Sequence, residues 1–477
     1  MSTKICLMCE GSYPYVTGGV SSWVHLLMNN LPDFEFYISA IVSDRSQSGK
    51  FKYKFPDNLI SINEIYLQDD DIVSMIRKKH HLTKREREAF RSFIMGTDID
   101  WAVVFDYFSK ENISVNDLLM GNDIFDIIKE FYEEYYFRYP FADFLWTYRS
   151  MLLPLCTLLK NKLPIADIYH SASTGYSGTL ACLAKYMYNK PALITEHGIY
   201  TREREEDIIR STFFNGVYKD IWIQHFYKLS GCAYKYSNKI ISLFGESQHL
   251  QMEMGCEEYK TLVIPNGVDT ERFDHLAPDN HGDVVNVGLI ARISPIKDIK
   301  TLINSFAAAK DKVPKLNLYI MGGIEEDNEF YNDECVELVE TLGLKDVYFT
   351  GNVDMNEYMP KLDIIILTSI SEGQPMAILE AMSASKPVIA TKVGNCEGLI
   401  MGEREGDLPC GIVTPIMSIE KISNAIIELA QDPEKRKQYG ENGKKRVTER
   451  YPKGKLIDTY RSLYTSLINN TTFTMES

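Results

Sequence analysis

No run of apolar residues in this chain approaches the roughly 18 needed to cross a bilayer. The first apolar stretch, Ile5-Cys6-Leu7-Met8-Cys9, is too short for a secretory leader and runs straight into Glu10. A cytosolic protein is expected. Positive charge is also scarce: 51 Lys and Arg stand against 66 Asp and Glu, for a net charge of −15. That balance argues against a nucleic-acid binder, because neutralising phosphates takes clustered cations. Cysteine is sparse and odd in number, nine in 477 residues, so reduced thiols are expected. Cys6 and Cys9 have the spacing of a redox or zinc pair, but a strand turns positions three apart to opposite faces. No second cysteine pair completes a zinc site, and buried strand cysteines are expected instead.

The chain is too long for one core and implies two domains, with apolar and charged fractions of 45% and 25% ordinary for a soluble enzyme. It opens as a doubly wound α/β unit. A strand (Lys4 to Met8) enters the loop Thr17-Gly18-Gly19-Val20, then a helix from Ser21 to Asn29 capped by Ser21 or Ser22. Gly18 and Gly19 let the backbone approach a ligand closely, although a plain tight turn uses the same pair. Residues 45–163 lack strand–helix alternation and read as a mostly helical insertion. Its one strong basic cluster, Arg77 to Arg87, fits a solvated helix face or a docking surface for a membrane partner. Alternation resumes with strands ending at His170 and His197. Ligands of open α/β sheets gather beyond the carboxyl ends of strands, which places both histidines toward a cleft; a hydrogen-bonded structural role is the alternative for each. A strand from Lys239 to Leu243 precedes the turn signature Pro265-Asn266-Gly267-Val268-Asp269. The expected domains are 1–275, 276–451 and a returning C-terminal helix in 452–477. Strands at 284–289, 316–321, 347–349, 364–367 and 387–390 build a second Rossmann-like sheet.

Two segments of the second domain carry chemistry. Ser371-Glu372-Gly373-Gln374-Pro375-Met376-Ala377-Ile378-Leu379-Glu380 follows the run Asp363-Ile364-Ile365-Ile366-Leu367, which reads as a buried strand, so the chain passes from strand through loop into helix. Pro375 suits the first helical position, leaving the N–H groups of Met376 and Ala377 and the positive helix end for a phosphate. Glu372 and Glu380 then lie roughly 10 Å apart by helix rise, spaced to hold a sugar ring and a ribose with a diphosphate between them. Taken alone, this is a glutamate pair that any surface helix carries. The second segment, Gly288-Leu289-Ile290-Ala291-Arg292-Ile293-Ser294-Pro295-Ile296-Lys297, sets two cations on a strand-to-helix loop. A planar guanidinium and a mobile ammonium can neutralise a leaving diphosphate without a metal.

These two segments resemble the donor half of the retaining family 4 glycosyltransferases of the GT-B fold. The stretch from Cys9 to His25 and the segment Thr195-Glu196-His197-Gly198-Ile199-Tyr200-Thr201-Arg202-Glu203-Arg204 are similar to the glycosyltransferases of Pel exopolysaccharide synthesis, across essentially the whole chain. The resemblance implies an α/β, GT-B architecture of two Rossmann-like domains facing across a cleft. It implies transfer from a UDP-sugar, a UDP-N-acetylhexosamine or UDP-glucose, with retained configuration and no cofactor or metal. Catalysis then falls to His197, Glu372, Arg292 and Lys297. Donor binding falls to Gly18, Gly19, Arg292, Lys297, Glu372, Gly373, Gln374, Pro375, Met376 and Glu380. Glu380 takes the ribose, Glu372 the sugar. No side chain announces itself as a covalent nucleophile, so a front-face path is expected. The implied partners are a growing polysaccharide and membrane-embedded Pel synthase and export subunits, which recruit a cytoplasmic enzyme to the inner face of the membrane for biofilm polymer synthesis. Nucleic acid and direct membrane insertion are not expected. Three rivals stay open: a metal-dependent GT-A transferase using Asp98-Ile99-Asp100, a GT-B sugar-nucleotide epimerase, and a non-catalytic sugar-nucleotide-binding subunit.

Overall fold

Strands that alternate with helices return to the same edge of the sheet and lie parallel. In a computed structural model, which describes residues 2–68, 81–96, 98–110, 114–212, 216–279, 282–324 and 328–473, they form two such sheets. The first contains β1 (Thr3–Glu10), β2 (Phe34–Val42), β3 (Leu59–Tyr66), β4 (Ile168–Ser171), β5 (Ala192–Glu196), β6 (Lys239–Ser242) and β7 (Thr261–Val263), in the order β3-β2-β1-β4-β5-β6-β7. The second contains β8 (Val285–Ile290), β9 (Leu316–Met321), β10 (Val347–Gly351), β11 (Ile364–Leu367), β12 (Val388–Thr391) and β13 (Gly411–Thr414), in the order β10-β9-β8-β11-β12-β13.

Every pairing is parallel. Leu7 lies opposite His170 between β1 and β4, and Ile365 opposite both Gly288 and Val388 around β11. Central strands covered on both faces need unbroken apolar runs, and Ile5 to Cys9 and Ile364 to Leu367 are all buried. Each sheet starts at its centre, winds to one edge, then crosses back past its first strand. The order therefore reverses between β1 and β4, and again between β8 and β11; such switch points are where α/β sheets take ligands.

The chain divides into two compact units, Met1–Val263 with Tyr460–Ser477, and Ile264–Thr459. The division falls ahead of the expected boundary at 275 because residues after Val263 are held by the second unit. The Asn266 N–H donates to Gln374 Oε1 at 2.6 Å, and Val268 bridges to Pro452. The final helix, Lys453–Asn469, enters the first unit at Tyr460.

The expected insertion is shorter than 45–163, since β3 extends the first sheet beside β2. Between β3 and β4 the described chain is helical, with helices at Lys84–Met95, Trp101–Phe108, Val115–Leu119, Asn122–Phe131 and Phe141–Lys160. Local caps set the starts. Thr83 and Glu86 form a capping box, and Asp100 and Ser114 cap the next two helices. Phe90, Phe93, Trp101, Phe105, Phe144 and Tyr148 join Cys6 and Met8 of β1 in one hydrophobic cluster. The helices thus extend the sheet's own core.

In the basic cluster, Arg77 to His80 fall outside the described residues. Arg85 pairs with Asp100 at 3.6 Å, and Arg87 with Asp123 and Glu130 at 3.4 and 2.8 Å. No helix among the described residues is long and apolar enough to cross a membrane.

Candidate active site

The second unit gathers the predicted donor residues at its switch point. Past β8 the chain carries Arg292, exposed on the loop, then a 3-10 turn at Pro295–Lys297. Past β11, Thr368 ties that turn down, its hydroxyl donating to the Lys297 carbonyl at 3.0 Å, while the Ile370 N–H donates to Ile296 O at 2.8 Å. These bonds bring Lys297 onto Glu372. Lys297 Nζ lies 2.5 Å from Glu372 Oε1, with the two side chains 17% and 12% exposed, and Ser369 Oγ donates to the same oxygen at 2.5 Å. An ammonium has three donors, so the pair leaves Lys297 capacity for a second anion.

The Glu372–Gly373 backbone is held from behind by the loop after β12. Gly394 has φ +49°, and a Cβ there would run into the carbonyl oxygens of Glu372 and Gly373; the Asn395 N–H donates to Gly373 O at 2.9 Å. Only glycine fits this contact. Gln374 is buried against Asn266. Pro375 is the N-cap of the helix Met376–Ser383 (φ −72°, ψ 122°), one position earlier than expected, because its extended ψ keeps it outside the helical turn. No side chain caps that terminus, so the donors of Met376 and Ala377 are not used by a cap. Glu380, farther along, pairs with Arg272 at 3.4 Å; burial pushes its carboxyl pKa up and Arg272 pulls it back.

The first unit shows a second group at its own switch point. Glu10 ends β1, accepting from Tyr200 Oη at 2.7 Å and from the Ser177 N–H, in the first turn of the helix Tyr176–Tyr188, at 3.2 Å. Burial raises its pKa. Glu196 ends β5, fully enclosed, and takes four donors: Thr174 Oγ1, the Tyr200 N–H, Tyr234 Oη and Gln251 Nε2. It is a brace, satisfied on every side. His197 comes next, partly exposed, its pKa pulled down to about 4 by desolvation, which keeps the ring neutral near pH 7. A Cβ on Gly198 would meet the Glu203 carboxylate. Gly18 is the N-cap of the helix Gly19–Asn30, with open space at both glycines. Ser21 and Ser22 therefore lie inside the helix, not at its cap, since the glycine pair already supplies the entry.

His170 does not join this group. Its Nδ1 meets Tyr464 Oη at 2.7 Å and its Nε2 meets Thr195 Oγ1 at 2.8 Å, both buried. Asp98 pairs with Lys235 at 3.2 Å, and Asp100 caps a helix through the Val103 N–H at 3.3 Å. The Asp-x-Asp spacing is thus used by an ion pair and a cap. The nine cysteines are free and buried. Sequence reasoning missed Ser369, Asn395, Arg272 and Glu10. Of these, Glu10 and Ser369 had a signal, a polar residue at or just past the end of a buried strand.

Residues 3–259 match a domain of unknown function, DUF3492, and residues 268–446 match Glycosyl transferases group 1. The chain belongs to the DUF3492 family, and its second unit carries a Glycosyl transferases group 1 domain. Among group 1 relatives, the UDP-Gal:alpha-D-GlcNAc-diphosphoundecaprenol alpha-1,3-galactosyltransferase of Escherichia coli is 25% identical over 67% of this chain and 80% of its own. The N,N'-diacetylbacillosaminyl-diphospho-undecaprenol alpha-1,3-N-acetylgalactosaminyltransferase of Campylobacter jejuni is 25% identical over 52% of this chain and 65% of its own. Anabaena HepE, solved in complex with UDP and glucose, superposes with a TM-score of 0.61 at 16% identity, covering 96% of this chain and 99% of HepE. Both domains are Rossmann-like, and the fold is GT-B. The GT-A alternative is thereby set aside.

Proposed function

We propose that this chain is a cytosolic, retaining glycosyltransferase that moves a hexose from a UDP-sugar onto a growing Pel-type exopolysaccharide, as a PelF-like enzyme. The carrying observation is the Lys297–Glu372 pair at the β8/β11 switch point, ahead of the uncapped helix at Met376. UDP as the leaving group is supported by the UDP and glucose bound to HepE and by the UDP-galactose named for the E. coli relative. A UDP-N-acetylhexosamine is preferred to UDP-glucose, in keeping with the N-acetylgalactosamine named for the C. jejuni relative.

In this reading Arg292, Lys297 and the N–H groups of Met376 and Ala377 take the charge that develops on the diphosphate. Glu380 holds the ribose and Glu372 the sugar hydroxyls. The bond from the anomeric carbon to the UDP oxygen breaks as the acceptor oxygen bonds to the same face of that carbon. The acceptor proton passes to the departing phosphate. Gly18 and Gly19 take a donor-binding role in this reading and His197 a catalytic one. No cofactor or metal is required. Membrane-embedded Pel synthase and export subunits supply the acceptor and recruit the enzyme to the inner face of the membrane.

The test is a panel of nucleotide sugars presented to the purified chain with an oligosaccharide acceptor, reading nucleotide release and glycan elongation. UDP-hexosamine consumption with elongation is expected. Donor epimerisation without acceptor, or binding without turnover, would contradict the proposal.

A further inference from the structure

A glutamate side chain turns about several bonds, so holding it in one position for a ligand costs entropy unless the protein has already fixed it. Glu380 is fixed from one side. It lies in the helix Met376–Ser383, 23% exposed, with Oε1 3.4 Å from Arg272 Nη1. The other oxygen, Oε2, carries no hydrogen bond or ion pair among the described residues and is not enclosed, which leaves it to accept from a ligand. Burial raises the carboxyl pKa while Arg272 lowers it, and the guanidinium therefore also favours the ionised, accepting form. Arg272 is held in its turn. Its Nε donates to Asn356 Oδ1 at 3.2 Å, and its guanidinium lies over the buried Phe273 ring, 5.0 Å from the centroid. The chain on both sides of it is tied to the donor segment. Ahead of it, the Asn266 N–H donates to Gln374 Oε1, just before the helix begins. Around it, the Lys444 ammonium, on the helix Pro433–Arg450, reaches the Thr270 carbonyl, the Asp274 carboxylate and, at 3.0 Å, the carbonyl of Ser383, the last residue of the helix that carries Glu380. Residues 266–274 thus form a strap bonded to that helix near its start, middle and end, and all of these groups belong to the second unit.

We propose that Arg272 is a positioning residue for donor binding, setting the Glu380 carboxylate so that Oε2 accepts from a ribose hydroxyl of the UDP moiety. The inference rests on the glycosyl-transfer reading, in which Glu380 holds the ribose, and adds the residue that aims it. A fork-on-fork pair of arginine and carboxylate would occupy both oxygens. Here a single oxygen meets the guanidinium, whose Nε is committed to Asn356, and the second oxygen is left for the ligand. An ion pair that only steadied the strap would stabilise the fold without telling one nucleotide from another.

Calorimetry with UDP and with 2′,3′-dideoxy-UDP tests this. The unaltered chain should bind UDP the more tightly, through the ribose hydroxyls. Arg272→Gln should lose about tenfold in UDP affinity, the scale of one charge-assisted hydrogen bond, with its affinity for the dideoxy nucleotide unchanged. In a Glu380→Gln background the same substitution should cost nothing further, and Arg272→Lys should lose less than Arg272→Gln. Asn356→Ala keeps the charge but frees the guanidinium, and should weaken UDP binding about threefold, the scale of a modest net hydrogen bond. Asn356 is partly exposed, so this variant decides the matter even where Arg272→Gln does not fold. Equal losses on the two nucleotides, additive losses in the double variant, or unaltered UDP binding in Asn356→Ala would mean that Arg272 only steadies the fold and would overturn the inference. Equal affinity of the unaltered chain for UDP and dideoxy-UDP would also overturn it, by removing Glu380 from the ribose. Failure of the unaltered chain to bind or turn over any sugar nucleotide would instead bring down the reading of function on which this rests.

Discussion

Glu372 and Glu380 belong to one motif but live in different surroundings. Glu372 shares Oε1 between Lys297 and Ser369, while Glu380 is set against Arg272 alone. If Glu380 serves the ribose, Glu380→Ala weakens UDP binding by roughly tenfold or more, the loss of one charge-assisted bond. Glu372→Ala leaves UDP binding nearly intact and damages sugar transfer. Calorimetry with UDP checks both, and the reverse pattern would exchange their roles. Arg292, Lys297, Glu372 and Glu380 are legible in sequence because each lies in an unmistakable strand–loop–helix segment. Arg272 and Asn395 are not, because tertiary packing brings them to Glu380 and Gly373 from distant positions. His170 and His197 look alike in sequence, each closing a strand; only the hydroxyls of Tyr464 and Thr195, one of them 294 residues away in the chain, separate them.

Elements show where local pattern is a reliable guide and where it fails. The apolar runs of β1, β8, β9 and β11 announce themselves because both sheet faces are covered. β13, Gly411–Thr414, buries only its first and last residues, and β3 is half-exposed at an edge, so neither stands out from its surroundings. The buried set of His170, Thr195, Tyr460 and Tyr464 fastens the final helix to β4 and β5. Tyr464→Phe should cost about 1–2 kcal/mol of stability, since it strands His170 Nδ1 in a dry site, with kcat/KM unchanged; unaltered thermal unfolding would argue against the brace.

The loop before β13 offers a pH test. Asp407 takes both guanidinium nitrogens of Arg450, one at 2.8 Å, and the Arg404 N–H at 2.9 Å. Arg450 holds its carboxyl well below the ordinary aspartate value of 3.8. A depressed folded-state pKa gives stability that is present above that ordinary value and fades as pH falls below it. Asp407→Asn should therefore cost about 2 kcal/mol near neutral pH, the scale of a hydrogen bond to a charged group, and progressively less in acid. Denaturant unfolding at several pH values reads this directly, and a pH-independent difference would count against the pair.

For the whole molecule, the strand–helix rhythm foretells two doubly wound sheets, because parallel crossovers leave few other arrangements. Recruitment to the membrane through protein partners remains a proposal, and the pairing of Arg85 and Arg87 with acidic neighbours leaves those two poorly suited to lipid. The enzyme expressed alone should bind partner-free liposomes weakly at physiological salt, and should pellet with membranes when its partners are present. Strong binding to bare liposomes would require a lipid anchor instead. The central claim is that the chain's own cations, rather than a metal, carry the departing diphosphate. Its most direct test is the initial rate of UDP release from a UDP-hexosamine in excess EDTA, for the unaltered enzyme beside Lys297→Ala. The account predicts a rate that survives chelation and falls at least about 10²-fold in the variant, the scale of losing one preorganised charge-stabilising donor; a rate abolished by EDTA and restored by manganese or magnesium, with Lys297→Ala indistinguishable from the unaltered enzyme, would contradict it.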